Sequence, residues 1–258
     1  YRMRDTRGYM PGMELGSPLW SSAESRPSLT NGEQTERELS ELHVDTGILF
    51  PENFLKVPII PDVEYAVALS KAYNDYMVDR FLDESDELYG ALLAQPQDID
   101  AAVTEIDRLA GEPQITSVFL SVCGVNHTYG HPRYRPIFEA ASDHGLSISF
   151  HSAGIDYPEF PFNTHKLPHM VRHTLNHELS LMVNAMDIVV RGVPERFPDL
   201  DFGFLEGGLS WVPMAAHRLD REYMQHRDEV PILTKRPSEY ISEFYIGTHP
   251  LEIPKDKE

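Results

Sequence analysis

From residue 44 onward the chain alternates short apolar runs with longer amphipathic stretches, and this alternation constrains its fold more than any other feature. The runs are Val44–Phe50, Leu88–Ala94, Ile115–Val122, Leu146–Phe150, Asp201–Leu205 and Ser242–Gly247. Several are apolar almost without interruption, as strands covered on both faces must be. Between them, Asp62–Phe81, Asp98–Leu109, Arg133–His144, Pro168–Arg196 and Val212–His226 carry apolar residues at helical spacing. Asp98 is placed to cap its helix, and Gly145 to end the one before it. Strand then helix, repeated, predicts parallel βα units. An open doubly wound sheet and a (β/α)8 barrel both satisfy the pattern. No glycine-rich phosphate loop follows an early strand, which counts against a dinucleotide-binding fold. Six strands are two short of a closed barrel. Residues 1–40 show no sustained period and are read as an irregular arm, with the barrel-like domain spanning 41–258.

Composition narrows the function classes. The 258 residues include 41 acids against 22 bases, a formal charge of −19. Such a surface repels phosphate backbones and anionic lipids, so neither nucleic acid nor membrane is an expected partner. A lone Cys123 leaves no internal disulfide and no cysteine-rich zinc site, and Ser or Cys nucleophilic catalysis has no supporting motif. No apolar run reaches the ~18 residues of a membrane span, and no signal-peptide pattern is present, so a cytoplasmic location is expected. The chain starts at Tyr1 rather than Met, which reads as a clipped reading frame.

Parallel α/β folds collect their chemistry at the carboxyl ends of the strands. His151 stands there, ending an apolar strand before Ser-Ala-Gly, as a metal ligand, a general base or a hydrogen-bonded structural histidine. Glu206 follows another strand directly and precedes Gly-Gly, where a carboxylate is either paired or serves a helix start. His165, His169, His173 and His177 recur every fourth residue, and the stripe reads as substrate-facing or solvated. The glutamate of a His-Glu-x-x-His zinc signature is missing from it. His177, next to the apolar run Leu179–Val190, ranks first among them. His127 and His131 lie in a Gly/Pro/Tyr loop, and Trp211 could line a pocket or simply pack.

The stretch Gly192-Val-Pro-Glu-Arg-Phe-Pro-Asp-Leu-Asp-Phe-Gly-Phe-Leu-Glu-Gly-Gly-Leu-Ser-Trp-Val-Pro213, followed by His217-Arg-Leu-Asp-Arg-Glu-Tyr223, resembles the amidohydrolase-related family. This is the branch that contains aminocarboxymuconate-semialdehyde decarboxylase and the resorcylate-type decarboxylases. The likeness extends to Ala72-Tyr-Asn-Asp75, to Glu105 and Arg108, to Phe150-His-Ser-Ala153 and to Phe244-Tyr-Ile-Gly-Thr-His-Pro-Leu-Glu252.

The resemblance implies a (β/α)8 barrel holding one divalent metal, zinc first and manganese second, at its carboxyl end. In the family a His-x-His pair on the first strand, a His on the fifth and an Asp on the eighth bind it. His151 matches the fifth-strand ligand, and no His-x-His occurs in this sequence. The six strands then correspond to strands two to seven, with the first and last expected outside the chain. The decarboxylases place a catalytic histidine where this chain has Glu206.

These readings combine into one expectation: a metal-dependent hydrolase or carboxy-lyase acting on a small organic acid, amide or ester. In it His151 holds the metal, Glu206 and His177 are catalytic, and His127, Trp211 and His249 contact substrate. The fragment on its own is expected to be inactive, and a homodimer or higher homo-oligomer is compatible with it. The competing expectation is a non-catalytic barrel used as a binding or assembly module.

Overall fold

The computed structural model describes residues 30–51, 54–122, 125, 127–152 and 168–248. Six strands form a single sheet: β1 (Gly47–Leu49), β2 (Leu88–Leu93), β3 (Ile115–Ser121), β4 (Ser147–His151), β5 (Phe202–Leu205) and β6 (Tyr245–Ile246). Every neighbouring pair is parallel and the spatial order is the sequence order, β1 through β6. A doubly wound sheet reverses direction at a switch point, whereas a barrel winds one way only. The order therefore decides for the barrel type, a fold of α/β class, over the open sheet.

The expected helices form with small changes at their ends. They are α2 (Val63–Met77), α3 (Ile99–Leu109), α4 (Arg135–Asp143), α5 (His169–Val190) and α7 (Val212–Gln225), with α6 (Val193–Arg196) and α8 (Pro237–Ile241) as short pieces. Asp98 does cap α3, its carboxylate accepting from the Ala101 amide, and Gly145 follows α4 at φ +67°. The long helix expected over 168–196 is broken. Gly192 takes φ +68°, and any Cβ there would lie 2.4 Å from Ile232 Cγ2, so the chain turns and α6 starts anew.

A second departure lies in the segment read as an irregular arm: Gly32–Glu41 forms a helix, α1. Asn31 caps it by accepting from the Gln34 amide at 3.0 Å. It escapes a periodicity search because little of it faces the core; Leu39 packs half-buried, and only Gly32 and Thr35 are buried.

Strand alternation sorts the core into two faces. Leu92, Val118, Leu120, Ile148, Phe150, Phe202 and Phe204 face the helices, where they meet Ile106, Ile137, Phe138, Leu181 and Ile188. Ala91, Leu93 and Phe119 face the other way, toward Phe50, Leu55 and Leu205. The inner face of the middle strands is otherwise small and polar, with Ser117, Ser121 and Ser149 buried on β3 and β4. Register aligns Ser121 with His151 and His151 with Leu205, forming one layer at the carboxyl ends.

Two of the sequence's distinctive stretches serve this frame. The Asn74 amide takes up both the N–H and the C=O of Leu93, at 2.8 and 3.1 Å, and donates to Glu105 at 2.8 Å. Arg108 then forks onto Glu105 and reaches Asp75 at 2.8 Å, tying α2 and α3 to the end of β2. Glu195 does similar work farther along by accepting from Thr234 and from the Tyr240 hydroxyl. Those bonds hold its carboxyl below the usual range.

Candidate active site

A cavity of about 380 Å³ opens at the carboxyl ends of β1, β4 and β5. Leu49, Phe50, Leu55, Phe119 and Leu205 give it apolar walls, and His151 and Glu206 are its polar groups. His151 is on the inner face because alternation along β4 sends Phe150 outward to the helices.

The His151 ring is held by its backbone neighbour. Nδ1 lies 2.6 Å from the Ser152 carbonyl, which can only accept, so Nδ1 carries the proton. Ser152 is itself buried, and the Ser180 hydroxyl on α5 donates to its Oγ at 2.9 Å. With Nδ1 committed, Nε2 faces Glu206 Oε2 at 3.6 Å. A neutral Nε2 presents a lone pair to a carboxylate that also has only lone pairs. The pair is favourable when a cation lies between them, either a proton on Nε2 or a metal ion. His177, from α5, approaches His151 edge-on, with ring centroids 5.9 Å apart and planes at 84°.

Glu206 reaches this place by breaking alternation. Leu205 is an inner residue, so a regular strand would send residue 206 outward, as it does Phe204. Instead Glu206 adopts φ +51°, a left-handed backbone that non-glycine residues seldom take, and its carboxylate lines the cavity. The following turn is fastened from several sides. Gly208 N–H donates to Gly247 O at 3.1 Å, and Gly247 N–H to Phe204 O at 2.9 Å. Trp211, buried, donates its indole N–H to Gly207 O at 2.7 Å. Gly208 has φ +69°, and a Cβ there would sit 2.7 Å from Glu178 Oε1. Trp211 is therefore placed to position the Glu206 turn and is not among the residues lining the cavity.

The other candidates are elsewhere. His127 is exposed and stacks on His131, with centroids 4.1 Å apart and planes within 10°. Their loop is tied to the far half of α5, through Thr128 Oγ1 to Asp187 at 2.6 Å and Tyr129 N–H to Asn184 at 2.9 Å. Desolvation, then the charges of His127, Arg191 and Arg133, hold the His131 pKa below its ordinary value, with Asp187 opposing. His249 lies outside the described residues, as do Glu52, Asn53, Cys123, Asn126 and His165. Ser152 and Ser180 are the site residues that spacing alone does not single out; the only signal was that small residues follow His151.

His151 and Glu206 are suitable donors for a shared cation, but two donors do not close a metal site. Among the described residues no group of three or more His, Cys, Asp or Glu side chains is arranged to hold an ion. Also among them, no helix is long and apolar enough to cross a membrane.

A one-way parallel α/β barrel sheet, with its imidazole and carboxylate at the carboxyl ends, is the layout of barrel enzymes. The amidohydrolase family profile matches residues 21–250, and the chain belongs to the amidohydrolase family. Solved structures share the fold. The 5-carboxyvanillate decarboxylase LigW of Sphingomonas paucimobilis is 23% identical, with a TM-score of 0.62 over 89% of this chain and 68% of that one. An amidohydrolase of Mycobacterium avium subsp. paratuberculosis is 18% identical, with a TM-score of 0.75 over 88% of this chain and 60% of that one. A dihydroxybenzoic acid decarboxylase of Polaromonas sp. JS666, solved with bound manganese, is 17% identical, with a TM-score of 0.71 over 94% and 74%. The chain thus spans between 60 and 74% of the length of these three structures. No curated protein sequence matches it.

Proposed function

We propose that the chain is the core of a cytoplasmic, metal-dependent enzyme that hydrolyses or non-oxidatively decarboxylates a small organic molecule. The observation that carries this is the His151–Glu206 pair, Nε2 to Oε2 at 3.6 Å, in the wall of an apolar cavity at the strand ends. Family membership and the manganese-bound Polaromonas neighbour support a divalent ion, manganese or zinc, with His151 as this chain's ligand to it. Such an ion would polarise a substrate oxygen or acidify a bound water.

The remaining work falls to side chains. The Ser152 carbonyl fixes the His151 tautomer, so that Nε2 is the nitrogen that faces the cavity, and Ser180 meets the Ser152 hydroxyl from α5. Glu206, 39% exposed at its side chain, can exchange protons with solvent and deliver them beside Nε2. The apolar walls hold the body of the substrate and exclude water from its reacting end. His177 backs the His151 ring from α5 and limits its rotation.

The test supplies the full-length gene product, since the fragment alone is expected to be inactive, with manganese or zinc, offers aryl amides, esters and hydroxybenzoates, and follows CO2 release alongside hydrolysis. Turnover of any of these, lost in His151→Gln, is expected. Metal content by elemental analysis should fall in the same variant. No turnover together with unchanged metal content would move the chain to the class of non-catalytic modules.

A further inference from the structure

We propose that the Gln95 carboxamide, just past the end of β2, is a further binding group of this site and takes an uncharged hydroxyl of the substrate. The proposal rests on the functional reading above and adds a residue to it. Gln95 is 3% exposed. Neither its Oε1 nor its Nε2 has a hydrogen-bond partner, and among the described residues it is the one buried carboxamide with both atoms in that state. An amide buried without bonds is costly, and folded proteins keep very few of them. The two unmet atoms mark a place where the polar group of a ligand belongs.

Position ties Gln95 to the site. On β2, Ala91 and Leu93 face the barrel interior while Leu92 and Ala94 face the helices, so alternation turns Gln95 inward. Leu93 pairs with Phe119 and the Ala94 N–H donates to Phe119 O at 3.2 Å, which sets Gln95 beside Ser121 one step farther along. Ser121 in turn pairs with His151. Gln95, Ser121 and His151 thus form one inward row across three strands, about 10 Å from end to end at the backbone. The Ser121 hydroxyl does not serve Gln95, because it donates to Leu55 O at 2.6 Å. Leu55 lines the cavity, so the cavity wall reaches this row. A substrate held beside His151 and extending past Leu55 along the row meets the carboxamide.

The surroundings choose the group. Leu55, Val57, Ala91, Leu93 and Phe119 make this part of the inner face apolar, and a carboxamide brings no charge to pair with an ion. A hydroxyl is uncharged and both donates and accepts, so it can bond whichever atom of the carboxamide it meets.

Phenol and toluene make the test, being alike in shape and differing by the hydroxyl. Each is titrated into the full chain while the side-chain amide resonances of Gln95 are followed, identified by their loss in Gln95→Met. Phenol should shift them and toluene should not. The ratio of phenol to toluene affinity should fall about tenfold in Gln95→Met, the worth of one hydrogen bond between neutral groups. The same variant, similar in volume and without the unmet atoms, should melt ~2–4 °C higher in the absence of ligand. The titration of the unaltered chain covers the case of a variant that folds poorly. Gln95 resonances unmoved by phenol, or an affinity ratio unchanged in Gln95→Met, overturn the proposal. A lower melting temperature in the variant also overturns it, since Gln95 would then have a partner in the free protein. Turnover lost in His151→Gln with Gln95 unmoved by phenol removes this proposal alone. Gln95 answering phenol, with no turnover and unchanged metal content in His151→Gln, keeps the binding group and removes the enzyme.

Discussion

Two histidine pairs follow neighbouring strands of this sheet, and they are built to opposite ends. His151 and His177 meet edge-on at 5.9 Å beside a carboxylate, while His127 and His131 lie flat on each other at 4.1 Å. The first pair puts His151 in the wall of the cavity, with its tautomer fixed by the Ser152 carbonyl. The second caps a surface loop, where desolvation first, then His127, Arg191 and Arg133, favour the neutral His131 ring. By composition and strand position they look alike. Chemistry needs an imidazole with a nitrogen aimed into a cavity beside a group that can carry charge, and of these two pairs His151 meets that condition.

The largest test of this contrast removes one histidine from each pair. His151→Gln should lower kcat/KM by about 10²–10⁴, the range for loss of a positioned acid–base group. His131→Gln should leave it within about twofold, as for a surface substitution. Steady-state kinetics on whichever substrate the panel yields will show it, and comparable losses in both variants would erase the distinction.

Glu206 gives the next largest effect, with stability and activity moving in opposite directions. Glu206→Gly removes the carboxylate but relieves a left-handed backbone that costs ~1 kcal/mol or more for a residue with a Cβ. Activity should fall by about a hundredfold while the melting temperature rises by ~2–4 °C. A scanning calorimeter and the same assay suffice. A fall in both would mean that the carboxylate holds the fold together and that the turn carries no stored strain.

How much of this was legible beforehand follows from which signals are local. The six strands and their helices were readable because burial on both faces leaves continuous apolar runs, and Asp98 and Gly145 act on residues within a few positions of themselves. Winding direction was not readable, since βα repeats serve a barrel and an open sheet equally; the parallel order β1 to β6 decided it. Helix α1 was hidden because it shows the core little more than Leu39. His151 and Glu206 could be marked as strand-end residues, yet their meeting depends on the φ of Glu206, which no periodicity encodes. The role of Trp211 was hidden for a similar reason: its indole bonds a carbonyl in the Gly-Gly turn, so an aromatic that spacing leaves as pocket or packing acts as a clasp.

Between the pairs lies the support shell. Ser180 touches no cavity wall but donates to Ser152, whose carbonyl fixes His151. Ser180→Ala should cost about threefold in kcat with little change in KM, less than loss of a bond to the imidazole itself, because Ser180 meets the Ser152 hydroxyl and acts on the ring only through that residue. Ser180→Thr keeps the hydroxyl and should recover most of it. Equal losses in Ala and Thr would mean that the packing of α5, and not the bond, is what matters.

The smallest effect belongs to the outer pair, and it concerns stability. His131 has its pKa lowered from the ordinary 6.5, first by desolvation and then by His127, Arg191 and Arg133. As pH falls through that ordinary value, the unfolded chain takes up the proton before the folded one does. The unfolded state then binds more protons, so stability declines with falling pH over this window and is fully retained above it. His131→Gln has no proton to take up at this position, and its stability should depend less steeply on pH between about 7.5 and 5.5. Urea midpoints for the two proteins at both pH values provide the comparison. Parallel pH profiles would show that the stacked rings share a proton without penalty, and that burial in the cavity, not charge on the ring, is what separates the two pairs.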